Sequence, residues 1–325
     1  MRRWLAAVLL IASPAFAEPL PQLKMLAEHA VDGMVGGNLS GLASCNGELW
    51  TVSDRDDGLL YHLNTSAAVW KAEAQVIQVP PVPDSGLPLV LVSMAKALAV
   101  VRGGSLDFEG VTCDAAGNRY LVSEGYASVL QVPVSGAPNW LSLPKSVVEQ
   151  ARASGLLHNF NAIFEGISIN PAGDQLWLAA EREKRGLLLV QRRQGAWGCK
   201  GSCVILSEEG KETMPPQMGA HQVSKDFSDI SLFEGKLFTL ERAAYQVCRR
   251  NLQNGAVERC WSFANDALVP AKRYAQKYGL AEALVIDKDG AWIGVDNNFG
   301  PRADGEKRPI VWRFAAPKEG WSATP

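Results

Sequence analysis

The chain carries five copies of one pattern, and each copy places an acidic residue after an apolar, strand-like run. The acids belong to Ser-Asp-Arg at 53–55, Ser-Glu at 123–124, Ala-Glu-Arg at 180–182, Leu-Glu-Arg at 240–242 and Val-Asp-Asn at 295–297. A second marked position lies 13 to 16 residues before each acid, at Ser40-Gly41, Glu109-Gly110, Glu165-Gly166, Ser228-Asp229 and Glu282-Ala283. A repeat in this range of lengths is typical of a solenoid, a propeller or an array.

Each unit reads as four short strands separated by turn residues, which is the composition of a propeller blade. The first unit, for example, has apolar runs at 42–45, 48–53, 59–64 and 69–79. The fifth unit is one strand short. We predict that a strand around Lys24–Met34 completes it and closes the ring, because an open sheet edge invites aggregation. The predicted fold is therefore an all-β propeller of four-stranded blades.

Five blades is the literal count of repeats, and a six-bladed propeller is the alternative. The segment Pro80–Gly104 is either a long loop or a degenerate blade, and helical insertions are predicted at Lys145–Leu157 and Ala271–Tyr278. A β-sandwich is the rival architecture. The propeller is preferred because the repeated acid falls at one point of every unit, which a Greek-key sandwich does not require.

The N-terminal segment has the pattern of a secretory signal peptide. A basic start at Arg2-Arg3 precedes a short apolar stretch and the small-residue site Ala15-Phe16-Ala17. The sequence thus predicts a signal peptide at 1–17 and a single propeller domain at 18–325. The expected location is outside the cytoplasm, periplasmic or secreted, and the protein is not expected to be embedded in a membrane.

Charge and cysteine content narrow the partners and the covalent structure. The formal net charge of −2 disfavours a nucleic-acid-binding protein. We also expect the protein to be a monomer. Six cysteines in an exported chain favour disulfides. The predicted pairs are Cys199 with Cys203, which bracket a short loop, and Cys248 with Cys260, which flank the turn at Asn254-Gly255. The remaining cysteines, Cys45 and Cys113, form the third candidate pair.

Equivalent positions on successive blades of a propeller converge on its central channel. We therefore expect Glu109, Glu165 and Glu282 to face one shared space, with Asp229 as a substitute in the fourth unit. A second acidic ring is predicted one strand away, formed by Asp54, Glu124, Glu181, Glu241 and Asp296. Converging carboxylates raise one another's pKa unless a cation neutralises them, and calcium is the hard cation that suits oxygen ligands.

A bound cation polarises an ester or phosphoryl oxygen and lowers the pKa of a water molecule, so hydrolysis needs no protein nucleophile. The candidate metal ligands are Glu109, Glu165, Asp229 and Glu282, and the three glutamates are also the candidate catalytic residues. The candidate contacts to a small anionic or ester substrate are Arg182, Arg242 and Arg302, since guanidinium groups pair with phosphate.

Four motifs resemble, in the same order, those of the bacterial family called "esterase-like activity of phytase". They are Leu106-Asp107-Phe108-Glu109-Gly110-Val111, Phe164-Glu165-Gly166-Ile167, Leu240-Glu241-Arg242 and Asp296-Asn297-Asn298-Phe299-Gly300. The resemblance extends from about residue 37 to residue 314 and implies a propeller with a link to phosphoester hydrolysis. The chain departs from the Glu-Gly pattern of the family in three units. Ala283 replaces the glycine expected after Glu282, and Ser228-Asp229 and Ser40-Gly41 stand in place of Glu-Gly in the fourth and first units.

Three further interpretations stay open. In the first, the acids are structural: acid–arginine pairs bridge adjacent blades, and Glu-Gly recurs because a turn needs it. In the second, the protein is a non-catalytic propeller that binds a peptide, a glycan or an envelope partner. The third is a lactonase-type calcium hydrolase. A serine hydrolase is disfavoured, because the chain has no Gly-x-Ser-x-Gly motif.

Overall fold

The computed structural model describes residues 20–276 and 278–323. The predicted signal peptide at 1–17 lies outside these residues. The first strand, β1 (Met25–Asp32), stands apart in sequence from the blade to which it belongs, which is the last one. The four strands that follow it form an antiparallel blade 1, in the order β2 (Gly41–Cys45), β3 (Glu48–Val52), β4 (Leu59–Asn64) and β5 (Trp70–Val76).

The next three blades repeat this arrangement. Blade 2 consists of β6 (Phe108–Cys113), β7 (Arg119–Ser123), β8 (Ser128–Val132) and β9 (Asn139–Trp140). Blade 3 consists of β10 (Phe164–Ile169), β11 (Gln175–Ala180), β12 (Lys184–Arg193) and β14 (Val204–Glu209), with the short β13 (Ala196–Gly198) folded back on the end of β12. A separate hairpin of β15 (Lys211–Thr213) and β16 (Gln222–Ser224) leads to blade 4. That blade consists of β17 (Asp229–Phe233), β18 (Lys236–Glu241), β19 (Gln246–Arg250) and β20 (Val257–Ser262).

Blade 5 joins the two ends of the described chain. It consists of β21 (Ala281–Asp287), β22 (Gly290–Val295), β23 (Ile310–Ala315) and, as its outer strand, β1. Strand β1 pairs antiparallel with β23, from Met25 opposite Phe314 to Ala30 opposite Ile310. The innermost strands β2, β6, β10, β17 and β21 pack side by side in a closed circle. The fold is therefore an all-β, five-bladed propeller, and the predicted N-terminal strand closes it.

Apolar side chains fill the space between every pair of neighbouring blades, in five separate clusters. Several strands contribute to two clusters, because successive side chains of a strand point to opposite faces. In β3, Leu49 packs toward blade 5, whereas Trp50 and Val52 pack toward blade 2. Burial on both faces explains why the sequence shows short continuous apolar runs instead of a strict alternation.

Three α-helices and two 3-10 helices lie outside the blades in the described residues. The α-helices are α1 (Leu89–Arg102), α2 (Ser146–Ala153) and α3 (Ala264–Ala267), and the 3-10 helices are Pro216–Met218 and Pro270–Lys272. Helix α2 falls within the predicted insertion Lys145–Leu157. The α-helix predicted at Ala271–Tyr278 is wrong: the described residues there contain only the end of a 3-10 helix.

Helix α1 settles the nature of the segment Pro80–Gly104, which is neither a sixth blade nor an irregular loop. Its later turns are rich in Ala, Leu, Met and Lys, the strongest helix formers, and these outweigh the strand-like start Leu-Val-Leu-Val. Leu91 and Ala95 pack on the propeller, while Leu89, Val90, Val100 and Val101 are exposed. In the described residues, no helix is long and apolar enough to cross a membrane.

Candidate functional site in the central channel

A β-bulge turns three glutamates toward the centre of the ring. In β6, Phe108 and Gly110 face consecutive residues of β7, so Glu109 between them is the extra residue of the bulge. The same register shift occurs at Glu165 in β10 and at Glu282 in β21. A bulge re-aims a side chain that regular pairing would direct elsewhere. The local backbone therefore explains why these three side chains reach the channel.

The glycine after the glutamate lets neighbouring innermost strands approach closely. A Cβ atom on Gly110 would lie 2.7 Å from the carbonyl oxygen of Glu165, and one on Gly166 would lie 2.8 Å from the Cα of Asp229. Neither glycine has a positive φ. In blades 2 and 3 the Glu-Gly pair therefore occurs because neighbouring backbone leaves no room for a side chain, and not because a turn requires glycine.

One cavity of about 460 Å³ opens at this end of the channel, and both predicted sets of acids contribute to its wall. Eight carboxyl groups and three guanidinium groups line it, so the excess of acidic groups is five. The acids are Asp54, Glu109, Glu124, Glu165, Glu181, Asp226, Glu282 and Asp296, and the bases are Arg102, Arg182 and Arg242. Met214, Val223 and Ser224, from the β15–β16 hairpin region, form part of the rim.

Arg242 is the central base of the cavity. Its Nε donates to Asp226 Oδ2 at 2.6 Å, its Nη1 donates to both carboxylate oxygens of Glu282, and its Nη2 donates to Glu181. These partners come from different blades, so the guanidinium ties the wall together. Arg242 thus satisfies three of the eight carboxylates and acts as a built-in cation.

A group of three carboxylates lies beside this guanidinium. Oxygen atoms of Glu124, Glu165 and Glu181 all lie within 4.8 Å of one another, and all three residues are buried. Glu124 Oε1 accepts the backbone N–H of Ile163 at 2.9 Å. Glu181 accepts from Arg242 and Arg182 through Oε1, while its Oε2 has no hydrogen-bond partner in the described residues.

A second group of three carboxylates lies between blades 1 and 2. It consists of Asp54, Asp107 and Glu109, again with oxygen atoms within 4.8 Å of one another. Asp54 Oδ1 accepts from Asn38 Nδ2 at 2.9 Å, and Ser40 Oγ accepts the backbone N–H of Asp54 at 3.0 Å. The three bulge glutamates therefore line one cavity but belong to different local groups. Glu109 belongs to the group with Asp54, Glu165 belongs to the group with Glu124, and Glu282 pairs with Arg242.

Burial shifts the protonation of these acids. Burial, followed by repulsion from neighbouring carboxylates, raises the pKa of Glu109, Glu124 and Glu165 well above its usual value. Burial also raises the pKa of Glu282 to about 7, although Arg242 acts in the opposite direction. Burial and the nearby Asp54 raise the pKa of Asp296 to about 8. Near neutral pH the cavity therefore holds protons, or a cation takes their place.

Three predicted site residues lie elsewhere in the structure. Asp229 occupies the glycine position of the motif, and its carboxylate accepts the backbone N–H groups of Leu284 (2.7 Å) and Ile230 (2.8 Å). It is outside the cavity wall, so its prediction as a metal ligand is corrected: backbone N–H groups from two innermost strands satisfy this carboxylate.

Glu241 and Arg302 are likewise absent from the wall. Glu241 pairs with Arg185 at 3.0 Å and with Arg250 at 2.6 Å in a buried network beside the channel. Arg302 pairs with Glu28 at 2.8 Å and with Asp304 at 2.6 Å. The second acidic ring therefore contributes four members to the cavity wall instead of five. The anion contact predicted at Arg302 is corrected, because acids on the outer part of blade 5 hold its guanidinium.

Asp107, Asp226 and Arg102 were not among the predicted site residues. Asp107 stands two residues before Glu109, and Asp226 stands two residues before Ser228, so both acids occupy the same position of the repeat. Arg102 is the last residue of α1 and pairs with Asp107. The signal for both acids is the Asp-Phe pair that precedes Glu109 in the second unit and Ser228 in the fourth.

The donor set suits a hard divalent cation. Every free donor in the two groups is a carboxylate oxygen, which calcium prefers, whereas no histidine or cysteine lines the cavity in the described residues. Glu181 Oε2 is a buried acceptor without a partner, and such an atom is costly unless a ligand satisfies it. The residues present therefore fit a calcium ion.

Comparison with known proteins gives one family match and several low structural similarities. The sequence model of the family described as "Phytase-like: Esterase-like activity of phytase" matches residues 35–213. No curated protein matches the chain. The glutaminyl cyclase of Myxococcus xanthus is 10% identical, with 92% of this chain and 99% of that chain covered and a TM-score of 0.49.

Two further solved structures are similar at the same low level. The PQQ-bound aldose sugar dehydrogenase of Streptomyces coelicolor is 12% identical over 92% of this chain and 100% of that chain, with a TM-score of 0.46. The virginiamycin B lyase of Staphylococcus aureus is 8% identical over 91% of this chain and 100% of that chain, with a TM-score of 0.42. Similarities this low carry no information about substrate.

Proposed function

The chain belongs to the phytase-like family, esterase-like activity of phytase, and from this membership we propose that it is a calcium-dependent hydrolase of phosphoesters or related esters. The proposed reaction site is the acidic cavity of the central channel. Glu124, Glu165 and Glu181 are the proposed calcium ligands. Glu109 and Glu282, the other predicted ligands, contribute charge to the same cavity from neighbouring positions.

The observation that carries this proposal is the combination of three converging buried carboxylates with an unpartnered oxygen, Glu181 Oε2, in an open cavity. Three carboxylates this close repel one another strongly in a buried environment. Arg242 compensates only one of them directly, because its other contacts are to Asp226 and Glu282. A divalent cation removes the remaining repulsion and satisfies the unpartnered oxygen.

When bound, calcium supplies a Lewis acid that polarises the ester or phosphoryl oxygen and lowers the pKa of a water molecule. The protein's own residues supply the rest. Arg182 donates to Glu181 and to the carbonyl oxygen of Asn161, and its side chain is 37% exposed at the cavity, where it is the proposed contact to an anionic substrate group. Glu282 has a pKa near 7, so it is suited to take up and release a proton during hydrolysis at neutral pH.

Export remains part of the proposal. Three disulfides, Cys45–Cys113, Cys199–Cys203 and Cys248–Cys260, join all six cysteines. This agrees with the predicted pairs and supports an oxidising compartment, since structural disulfides are rare in the reducing cytosol.

Glu165→Gln tests the proposal, with Glu209→Gln as the matched control. Glutamine keeps the size of the side chain but removes the charge that calcium requires. Glu209 is an exposed residue at the end of β14, away from the cavity. We expect Glu165→Gln to lose bound calcium by elemental analysis and to lose calcium-dependent turnover on a panel of phosphoesters and carboxylic esters. Glu209→Gln should match the wild type in both measurements.

Three outcomes distinguish the interpretations. Partial recovery of Glu165→Gln turnover at high calcium supports the proposal, because the variant has lost affinity for the ion. A wild type that binds calcium but hydrolyses no ester on the panel favours a non-catalytic binding propeller. A wild type that binds no cation at millimolar calcium contradicts the metal site itself and favours the structural interpretation of the acids.

A further inference from the structure

The group formed by Asp54, Asp107 and Glu109 adjoins the proposed reaction site but shares no residue with the proposed calcium ligands Glu124, Glu165 and Glu181. Asp54 follows β3 in blade 1, whereas Asp107 and Glu109 lie at the start of β6 in blade 2. Their oxygen atoms lie within 4.8 Å of one another, and Asp54 and Glu109 line the cavity. A cluster of acids alone does not identify an ion site, but an unpartnered oxygen of Asp107 points to a ligand, and a second feature, the backbone of Asp107, holds that side chain in place.

The first feature is an unpartnered buried oxygen. Asp107 is only 3% exposed, and its Oδ2 pairs with Arg102 at the end of α1. Its other oxygen, Oδ1, is buried without a hydrogen-bond partner in the described residues. A charged acceptor left unsatisfied in the interior is costly unless a proton shared with a neighbouring carboxyl or a bound cation completes it.

The second feature is the backbone of Asp107, which has a φ of +55°. Aspartate adopts this left-handed conformation more readily than most residues other than glycine, and ten further non-glycine residues of the described chain share it, so it does not by itself indicate a ligand. The carbonyl of Asp107 accepts the backbone N–H of Glu124 at 2.8 Å, so the strained residue is held in place by the next strand. Its side chain is thereby fixed between Asp54 and Glu109.

The contrast with Arg242 shows what this group lacks. Asp226, Glu181 and Glu282 also form a group of three carboxylates, and there the guanidinium of Arg242 contacts all three. In the Asp54 group, Arg102 contacts Asp107 only, and Arg55 Nε is 3.8 Å from Asp54. Glu109 has no ion pair in the described residues, and Asp54 also repels Asp296 nearby. One guanidinium contacts all three acids of the Arg242 group, whereas Arg102 and Arg55 each contact one acid of the Asp54 group and neither contacts Glu109.

We propose that Asp54, Asp107 and Glu109 form a second site for a hard divalent cation, calcium, which joins blades 1 and 2 at the channel. This site is distinct from Glu124, Glu165 and Glu181 and does not depend on the proposed hydrolysis. Two divalent ions within one cavity repel each other, so they bind in sequence with unequal affinity. Removing the second site is therefore expected to leave calcium at the first site bound as tightly as before, or more tightly.

The test compares wild type, Asp107→Asn, Glu165→Gln and the double variant, all as the full chain. Asparagine preserves the shape of Asp107 and a hydrogen-bonding oxygen for Arg102 but removes the charge. Bound calcium is measured by elemental analysis after equilibrium dialysis, and affinity by calorimetric titration with calcium. We expect two equivalents in the wild type, one in each single variant and none in the double variant.

Several results would overturn the proposal. A wild type with a single equivalent, an Asp107→Asn variant that still binds two, or a Glu165→Gln variant that binds none each excludes a separate second site. If Asp107→Asn fails to fold, the wild-type and Glu165→Gln stoichiometries decide the question, and Asp54→Asn replaces it as the ligand variant. The proposed hydrolysis can fail independently, since absent turnover with two bound ions leaves this site intact.

Discussion

Arg242, in the turn after β18 of blade 4, donates from one nitrogen to both carboxylate oxygens of Glu282, in the β21 bulge of blade 5. The same guanidinium also holds Glu181 of blade 3 and Asp226. One side chain therefore joins three consecutive blades at the wall of the cavity. Its loss would leave Asp226 and Glu282 without an ion pair in the described residues and Glu181 with Arg182 alone.

We predict that Arg242→Met lowers the free energy of unfolding by about 3–5 kcal/mol, because breaking a buried ion pair leaves uncompensated charge in the interior. Methionine retains most of the length and volume of the side chain. Chemical denaturation measures the change. Arg259→Met is the control: Arg259 pairs with the partly exposed Glu319, and its loss should cost about 1 kcal/mol or less. Equal losses in the two variants would contradict the central role of Arg242.

Stability in the presence of a chelator should fall as the pH rises from about 5 to about 8.5. The folded-state pKa of Glu282 is raised from 4.5 to about 7, and that of Asp296 from 3.8 to about 8. A carboxyl with a raised folded-state pKa binds its proton more tightly in the native state than in the unfolded chain. Its stabilising contribution is therefore complete below the unfolded-state pKa and is lost as the pH rises through the folded-state pKa.

Melting temperature against pH, with chelator and with calcium, checks this expectation. Calcium should flatten the curve at the alkaline end, because the ion replaces the protons that the cavity loses, and its binding should release protons. A melting temperature that rises with pH in the chelator would show that the acids are paired more completely than their geometry indicates.

Gly110→Ala should destabilise the ring by about 1–3 kcal/mol or more, because the added methyl group must displace backbone atoms. The Cβ would lie 2.7 Å from the carbonyl oxygen of Glu165, and no flexible side chain can move to relieve that contact. Gly198→Ala is the matched control: a Cβ there meets nothing within 4 Å, and its φ is not positive. It should change the free energy of unfolding by less than about 0.5 kcal/mol.

The three disulfides should differ in what they contribute. Cys45–Cys113 spans 68 residues and joins the inner strands of blades 1 and 2, whereas Cys248–Cys260 spans 12 residues within blade 4. On the loop-entropy estimate, the first stabilises by about 4 kcal/mol and the second by about 3 kcal/mol. Unfolding of the two double Cys→Ala variants measures the difference. A larger loss from the pair at 248 and 260 would indicate that local packing outweighs chain entropy.

The repeat predicted the fold well because blade strands are short, local and bounded by turn residues. The spacing of Glu109, Glu165 and Glu282 from the second set of acids also placed them correctly in the wall of one cavity. The same spacing does not predict the position of Asp229 correctly. Asp229 stands one residue after the glutamate position, and a shift of one residue along a strand moves a side chain to another environment. A bulge adds such a shift, and the sequence gives no separate signal for it.

Long-range contacts account for the other differences. Glu241 follows the repeat, yet Arg185 and Arg250 from neighbouring strands draw it away from the channel. Arg102 reaches the cavity only because α1 ends beside blade 2, which no local pattern predicts. Asp226 lies in the cavity wall, where it pairs with Arg242. The positions of Glu241 and Arg102 depend on how distant segments meet and not on local periodicity, whereas Asp226 shares the repeat position of Asp107.

The pairing of β1 with β23 has a mechanical consequence. Met25 lies opposite Phe314 and Ala30 opposite Ile310, so the two strands run antiparallel with their outer ends adjacent. A force that pulls residues 25 and 315 apart loads one hydrogen-bonded pair at a time, beginning at Met25, instead of shearing the whole row at once. The ring is therefore expected to open at low force along this seam, while the four blades within it stay folded until the load reaches their own strands.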